Sequence, residues 1–119
     1  MVLKNSSEPV RRNKLGGCGL GEADTFPVSI PDQNGIFIMA TRLELDPGAS
    51  VSYHKHDGTE EVYFIMSGIG LYTEEGEDFI ASPGDVFLCR LGKSHSILNT
   101  GKEKLVLGAA IAKKEMESD

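Results

Sequence analysis

Short runs of β-forming residues, separated by turn residues, dominate the chain from residue 36 onward. Thr41–Leu45 alternates polar and apolar residues, which predicts a strand with one exposed face. Val62–Met66 is apolar on both faces, which predicts a strand buried between two sheets. Gly, Pro, Asp and Asn recur at intervals of about 8–12 residues, the spacing of turns in an all-β sandwich or barrel. The predicted strands are Ile36–Leu45, Ser50–His56, Glu61–Met66, Ile69–Thr73, Asp78–Ala81, Val86–Arg90, His95–Asn99 and Lys104–Ala112.

The polarity of its two ends divides the chain into three predicted parts. Residues 1–15 form a polar N-terminal segment, residues 16–112 the β-barrel and residues 113–119 a charged C-terminal tail. A length of 119 residues is typical of one domain. Gly16–Gly21 is rich in glycine but lacks the Gly-Lys-Ser/Thr of a phosphate-binding loop. We interpret it as a flexible loop, with a lid over a pocket as the alternative.

Composition excludes several classes of function. Lys and Arg number 12 against 18 Asp and Glu, and this net charge of −6 opposes general binding of nucleic acid. The two cysteines, Cys18 and Cys89, form no C-x-x-C motif, so free thiols in a reducing compartment are expected. Met1–Lys14 lacks the apolar run of a signal peptide, and no apolar stretch is long enough to span a membrane. A cytoplasmic protein is therefore expected.

All three histidines of the chain lie at a spacing that suits a metal site. His54 and His56 are two residues apart on a predicted strand, so both side chains point to the same face. His95 begins a later strand, and Glu61 lies between. Three imidazoles and one carboxylate suit a divalent Mn, Fe, Ni, Co or Zn ion, whereas the lack of a thiolate disfavours a closed structural zinc site. From these residues alone, a metal site and an ordinary group of strand histidines both remain open.

The connection between the two predicted strands decides which carboxylate joins the histidines. If Asp57–Glu60 forms a four-residue hairpin connection, Glu61 lies opposite His56 and shares its face. A three-residue connection would place Glu60 there instead, because a shift of one residue reverses every side chain. Periodicity does not separate the two registers.

The region from Gly48 to Asn99 resembles the two sequence motifs of the cupin superfamily. The first motif is matched at every fixed position by Gly48, His54, His56, Glu61 and Gly68. The second is matched by Gly84, Gly92, His95 and Asn99, with Arg90 where the family has proline. Counting back from Gly68 selects Glu61 over Glu60 as the carboxylate of the motif.

This resemblance implies a small antiparallel barrel of two facing sheets, the double-stranded β-helix or jelly roll. It also implies one divalent metal ion inside the barrel, manganese or iron among the candidates, held by His54, His56, Glu61 and His95. The expected function is that of a metal-dependent enzyme, of decarboxylase, isomerase or dioxygenase type, that acts on a small oxygenated or carboxylated metabolite. The alternative is a non-catalytic module that binds a small ligand or the metal itself.

Further candidates concern the substrate and the assembly. Tyr63 is the candidate acid or base, or hydrogen-bond donor to substrate, with an ordinary core tyrosine as the alternative. Arg42 and Arg90 are the candidate cations for a substrate that is anionic or polyhydroxylated, although Arg90 could also be a plain edge residue. Exposed sheet edges predict a homodimer, with the segment Met1–Lys14 as the element that crosses to the partner.

Overall fold

A computed structural model of the chain describes residues 1–4, 8–31 and 34–114. Within these ranges it contains ten strands and a short 3₁₀ turn over Leu15–Gly17. All eight predicted strands are present, with ends shifted by no more than one or two residues, and two further strands precede them. The strands are β1 (Val10–Asn13), β2 (Glu22–Pro27), β3 (Phe37–Leu45), β4 (Ser50–Lys55), β5 (Thr59–Ser67), β6 (Gly70–Glu74), β7 (Glu77–Ala81), β8 (Val86–Cys89), β9 (Ser94–Asn99) and β10 (Leu105–Lys113).

The strands form two antiparallel sheets, which confirms the predicted all-β jelly roll. One sheet has six strands in the order β1-β2-β3-β10-β5-β8, and the other has four in the order β4-β9-β6-β7. The core lies between the sheets, because its buried apolar side chains come from both of them. Leu43, Leu107 and Tyr63 come from the larger sheet, and Val51 and Ile97 from the smaller one. The barrel therefore encloses the space into which the motif residues point.

Among the described residues, only one face of the larger sheet is covered. The predicted alternation in β3 is confirmed, since Leu43 and Leu45 are buried while the residues between and before them are not. The prediction that β5 is buried on both faces is wrong, because Phe64 is 49% exposed and Met66 is 54% exposed. Tyr63 and Ile65 face the core, while the other side of β5 has no second sheet against it in the described chain.

The predicted hairpin pairing of β4 with β5 is wrong. The two strands lie in different sheets, since β4 pairs with β9 and β5 pairs with β10 and β8. The short connection at Asp57 and Gly58, where Gly58 has a φ of 72°, carries the chain from one sheet to the other. His54 is instead paired with His95 of β9. Glu61 therefore meets the histidines across the interior of the barrel.

The N-terminal residues pack onto this barrel. β1 pairs with β2 at the edge of the larger sheet. The 3₁₀ turn is tied to β4, where the Ser52 hydroxyl donates to the Gly16 carbonyl at 2.9 Å and accepts from the Cys18 amide at 3.1 Å. Gly16 has a φ of 73°, and a side chain there would lie within 2.9 Å of the Ser52 carbonyl oxygen, so glycine is required. The segment read as a flexible loop is thus held against β4.

Residues 115–119 of the predicted tail lie outside the described residues. The three-part division of the chain remains a prediction. Among the described residues, no helix has the length and apolar character needed to cross a membrane.

Candidate metal centre

Four side chains converge at one end of the barrel interior. The ligand atoms of His54, His56, Glu61 and His95 all lie within 4.8 Å of one another. The three Nε2 atoms are 2.9–3.2 Å apart. The Glu61 Oε1 atom lies 3.0 Å from Nε2 of His56 and of His95, and 3.7 Å from that of His54. His95 is 1% exposed, and His56 and Glu61 are each 5% exposed, whereas the side chain of His54 is 24% exposed, so three of the four residues are enclosed.

Three strands bring these side chains together. His54 lies in β4 and His56 directly follows it, and the alternation of side chains, with Tyr53 and Lys55 exposed, directs both imidazoles to the inside. The tight turn before β9 positions His95, since the Lys93 amide donates to the Arg90 carbonyl at 3.0 Å and Gly92 has a φ of 79°. The His56 amide donates to the Lys93 carbonyl, which fixes this turn to the end of β4. The turn therefore forms with Arg90 in the position where the family has proline.

The Nδ1 atoms of His54 and His56, which are not the nitrogens that face the cluster, each have a hydrogen-bond partner. Nδ1 of His54 lies 2.7 Å from the Ser52 carbonyl oxygen. A carbonyl can only accept, so Nδ1 carries the proton and Nε2 keeps its lone pair. Nδ1 of His56 lies 2.9 Å from the Thr59 hydroxyl, which can accept its proton in the same way.

The third histidine is held by a chain of two polar side chains. The Tyr72 hydroxyl donates to Oε1 of Glu74 at 2.7 Å, so its oxygen is free to accept from Nδ1 of His95 at 3.0 Å. His95 therefore also presents the Nε2 lone pair to the cluster. A ligating histidine in proteins commonly donates its other ring proton to such a partner, which fixes the ring and its tautomer.

This arrangement fits a divalent transition-metal ion. Three Nε2 lone pairs face one another at 2.9–3.2 Å, and with the protons on Nδ1 there is no hydrogen between them. Facing lone pairs repel, and the Glu61 carboxylate adds a negative charge to the same point. A cation at that point satisfies all four donors, and three imidazoles with one carboxylate are ligands typical of Mn, Fe, Co, Ni or Zn.

The cluster keeps its carboxylate charged. Burial raises the pKa of Glu61, but His54 and His95, when they hold a proton on Nε2 in the metal-free site, lower it by more, so that the pKa falls to about 2. The nearby Glu61 carboxylate raises the pKa of His54, whereas desolvation lowers that of His56. The site therefore carries an anion at all ordinary pH values, which a metal cation neutralises.

The cluster opens into a cavity of about 370 Å³. His54, His56, Glu61 and Tyr63 line it at the metal-ligand end, and most of the remaining wall is apolar. Leu15 and Gly16 of the 3₁₀ turn form part of this wall, so the glycine-rich segment borders the cavity. The polar groups in the rest of the wall come from Arg12, Thr25 and Thr41.

Tyr63 faces this cavity from β5. Its side chain is 2% exposed, and its ring stacks on His95 with 4.9 Å between the ring centroids. Burial raises the pKa of Tyr63 well above its usual value, and the charge of Glu61 acts in the same direction. The hydroxyl therefore remains protonated and can donate a hydrogen bond. Its catalytic role stays a prediction.

The two arginines proposed for substrate binding lie elsewhere. Nε of Arg42 lies 3.1 Å from the Glu44 carboxylate, and its guanidinium stacks on Phe26 at 3.9 Å. Nε of Arg90 lies 2.9 Å from the Glu60 carboxylate. Neither arginine borders the cavity. The structure therefore does not bring these side chains to the candidate metal ligands.

Sequence analysis missed Arg12, which does border the cavity. The polarity of residues 1–15 gave no reason to expect an inward-facing side chain there. One signal was available, since Val10-Arg11-Arg12-Asn13 alternates in a way that places Arg12 on the same strand face as Val10.

Comparison with known proteins gives the family. The family model of the cupin domain matches residues 41–111. The chain belongs to the cupin superfamily. An oxalate-binding protein of Thermotoga maritima is 44% identical to this cupin over 113 residues, which are 93% of each chain. A crystal structure of a predicted oxalate decarboxylase of Thermotoga maritima matches it with a TM-score of 0.86 and 35% identity, over 95% of this cupin and 99% of that chain.

A plant relative matches over a smaller share of its length. Germin-like protein 1 of Brassica napus is 30% identical over 82 residues, which are 65% of this cupin and 40% of the relative. The cupin therefore corresponds to less than half of that protein.

Proposed function

We propose that this cupin binds one divalent metal ion through His54, His56, Glu61 and His95, and a small chelating carboxylate of the oxalate class beside it. The observation that carries the proposal is the convergence of three Nε2 lone pairs and one carboxylate oxygen at the end of a cavity. The relative named as oxalate-binding, 44% identical over 93% of the chain, supports the choice of ligand class.

The residues of the site suit an anionic ligand. A bound metal would act as a Lewis acid that polarises the carboxylate and offsets its charge. The hydrogen bonds at Nδ1 hold the three imidazoles in the ligating tautomer and orientation. The mostly apolar wall lowers the polarity around a bound ligand, which strengthens the attraction between opposite charges. The cavity thus provides local attraction although the chain as a whole has a net charge of −6.

Metal analysis followed by ligand titration tests this function. Purified protein is expected to contain about one divalent ion per chain, and the manganese-loaded protein is expected to bind oxalate in calorimetry. His95→Ala is expected to abolish both, whereas Lys55→Ala, which changes a neighbouring outward-facing residue of β4, keeps both. Protein that takes up no metal, or metal-loaded protein that binds no chelating carboxylate, would refute the proposal.

A second candidate is an enzyme of decarboxylase type that uses the same site. Oxalate decarboxylation breaks the C–C bond, releases CO₂ and adds a proton to the remaining carbon to give formate. Tyr63 supports this candidate, because its hydroxyl is protonated and lies in the cavity wall beside Glu61. Formation of formate from oxalate by wild-type protein, with a loss of turnover but not of oxalate binding in Tyr63→Phe, would identify an enzyme. Oxalate that binds without turnover would identify a binding protein.

We also propose that the cupin is a homodimer. Phe64 and Met66 of β5 and Val86 and Leu88 of β8 are each about half exposed on the outer face of the larger sheet. Phe64 is paired with Val86, so these side chains form a continuous apolar surface. A second copy that covers it would remove this surface from water.

A further inference from the structure

The N-terminal strand directs one arginine toward the cavity. In β1, Val10 is paired with Thr25 and Arg12 with Ala23. Ala23 and Thr25 are buried on the inner face of the larger sheet. Cross-strand partners share a face, so Arg12 lies on the cavity side of the sheet, whereas Arg11 faces the other side. All of β1 is exposed, so Arg12 meets the cavity at its solvent-exposed edge. In agreement, Arg12 borders the cavity together with His54, His56 and Glu61.

Arg12 differs from the other arginines of the chain in its partners. The other three each form an ion pair with a carboxylate. These pairs are Arg11 with Asp24, Arg42 with Glu44 and Arg90 with Glu60. Within the part of the chain that the structure describes, Arg12 has no carboxylate partner, and its Nε donates to the Thr25 hydroxyl at 3.3 Å. The Thr25 hydroxyl in turn donates to the Val10 carbonyl at 2.8 Å, so Thr25 holds the stem of the guanidinium in place.

The two terminal NH₂ groups of Arg12 are therefore available to a ligand. The carboxylate of Glu61, the acidic side chain in the cavity wall, is already engaged by the histidines. No lysine borders the cavity, so among the described residues Arg12 supplies its permanent positive charge. A guanidinium is always protonated and presents parallel N–H groups that match two neighbouring acceptor oxygens.

We propose that Arg12 recognises the outward-facing oxygens of the carboxylate ligand. This inference rests on the proposed function and specifies the ligand further. A chelating 1,2-dicarboxylate offers one oxygen of each carboxylate to a metal and turns the other two oxygens away from it. These two outward oxygens lie side by side and both accept hydrogen bonds, so they match the guanidinium. The ligand class is therefore a planar two-carbon unit with an acceptor at both outward positions.

A pair of probes separates this role from a general structural one. Oxalate has an acceptor at both outward positions, whereas oxamate, its monoamide, can place an NH₂ donor at one of them. The affinities of both for manganese-loaded protein would be measured by calorimetry in wild type, Arg12→Gln and Arg90→Gln. The two variants remove the same charge, and Arg90 pairs with Glu60 away from the cavity. Manganese affinity would be measured for each protein by chelator competition.

Arg12→Gln is expected to weaken oxalate binding by about 10- to 100-fold, the effect of losing a two-point charged hydrogen bond. Its effect on oxamate is expected to be clearly smaller, and Arg90→Gln is expected to leave both affinities nearly unchanged. If Arg12→Gln binds manganese and oxalate as tightly as wild type, the role of Arg12 is refuted while the proposed function stands. If wild-type protein loaded with manganese binds neither probe, both are refuted.

Arg12→Lys covers the case in which Arg12→Gln does not fold. Lysine keeps the charge but not the two parallel donors. This variant is expected to bind both probes and to lose most of the preference for oxalate over oxamate. A preference equal to that of wild type would contradict the proposed recognition.

Discussion

The hydroxyl of Tyr72 is expected to control metal affinity without touching the metal. It lies between Glu74, 2.7 Å away, and Nδ1 of His95, 3.0 Å away. Tyr72→Phe removes this one oxygen and keeps the ring, which stacks on Phe87 with 4.2 Å between the centroids. The change is therefore confined to the two hydrogen bonds of this hydroxyl, the one that it donates to Glu74 and the one that it accepts from Nδ1 of His95.

The magnitude follows from the burial of His95, which is 1% exposed. Without the Tyr72 oxygen, the Nδ1 proton of a ligating His95 has no acceptor, and water has little access to replace it. An unsatisfied buried donor costs about 1–3 kcal/mol. The metal-free protein avoids this cost by moving the proton to Nε2, so the penalty falls on the metal-bound state. At about 1.4 kcal/mol per factor of ten, metal affinity is expected to fall by about 10- to 100-fold.

Competition with a chelator of known affinity measures this change for manganese and zinc. Tyr53→Phe is the matched control, because Tyr53 lies on β4 next to His54 and is 51% exposed. It makes the same chemical change without altering a partner of the ligands. Circular dichroism of both variants would establish that the barrel is intact.

A specific outcome would contradict this reasoning. If Tyr72→Phe binds metal as tightly as wild type while His95→Ala does not bind it, then the Glu74–Tyr72–His95 chain does not set the ligating tautomer. An equal loss in Tyr53→Phe would likewise show that the effect is not specific to that chain.

Three other predictions concern the charge of the site and the assembly. Glu61→Gln is expected to weaken metal binding by more than about 100-fold, since removing one partner of a buried charge pair costs about 3–5 kcal/mol. Glu60→Gln is expected to change metal binding little, because the Glu60 carboxylate pairs with Arg90. Equal effects of the two variants in chelator competition would refute the assignment of Glu61. Metal affinity is expected to fall as the pH decreases through and below about 6.5–7, because a protonated imidazole has no lone pair and the pKa of His54 is raised above 6.5. Glu61, with a pKa of about 2, stays charged over this range. An affinity that is constant from about pH 8 to pH 5 would argue against histidine ligands. Sedimentation at tens of micromolar is expected to show a dimer that Phe64→Lys converts to a monomer, and a monomeric wild type would exclude the proposed interface.

The strands from Phe37 onward could be predicted because their alternation and turn residues are local properties of the sequence. Their ends were accurate since Gly and Pro mark each turn. β1 was not predicted, because Val10–Asn13 is polar and exposed and forms a strand only through its pairing with β2. The prediction that β5 is buried on both faces was wrong, because apolar residues on a strand face do not reveal whether another part of the chain covers that face.

The candidate metal ligands could be selected from motif spacing, whereas their spatial relation could not. Glu61 follows His56 closely in sequence, which suggested a hairpin, but the chain changes sheets at Gly58 and the two side chains meet across the barrel. The hydrogen-bonded chain behind His95 and the approach of Arg12 both join residues from strands distant in sequence. Residue pattern gives at most the strand face that Arg12 shares with Val10, and not the distant residues that it meets there.

The position of β10 has a consequence for the order of folding. β10 lies between β3 and β5 in the larger sheet, and these two strands do not pair with each other. Without residues 105–113 the larger sheet is divided into β1-β2-β3 on one side and β5-β8 on the other. Pairings between segments so distant in sequence close late and slowly. A growing chain has all four candidate metal ligands once His95 is made, but we expect it to gain a centre that could hold an ion only after β10 has entered the sheet.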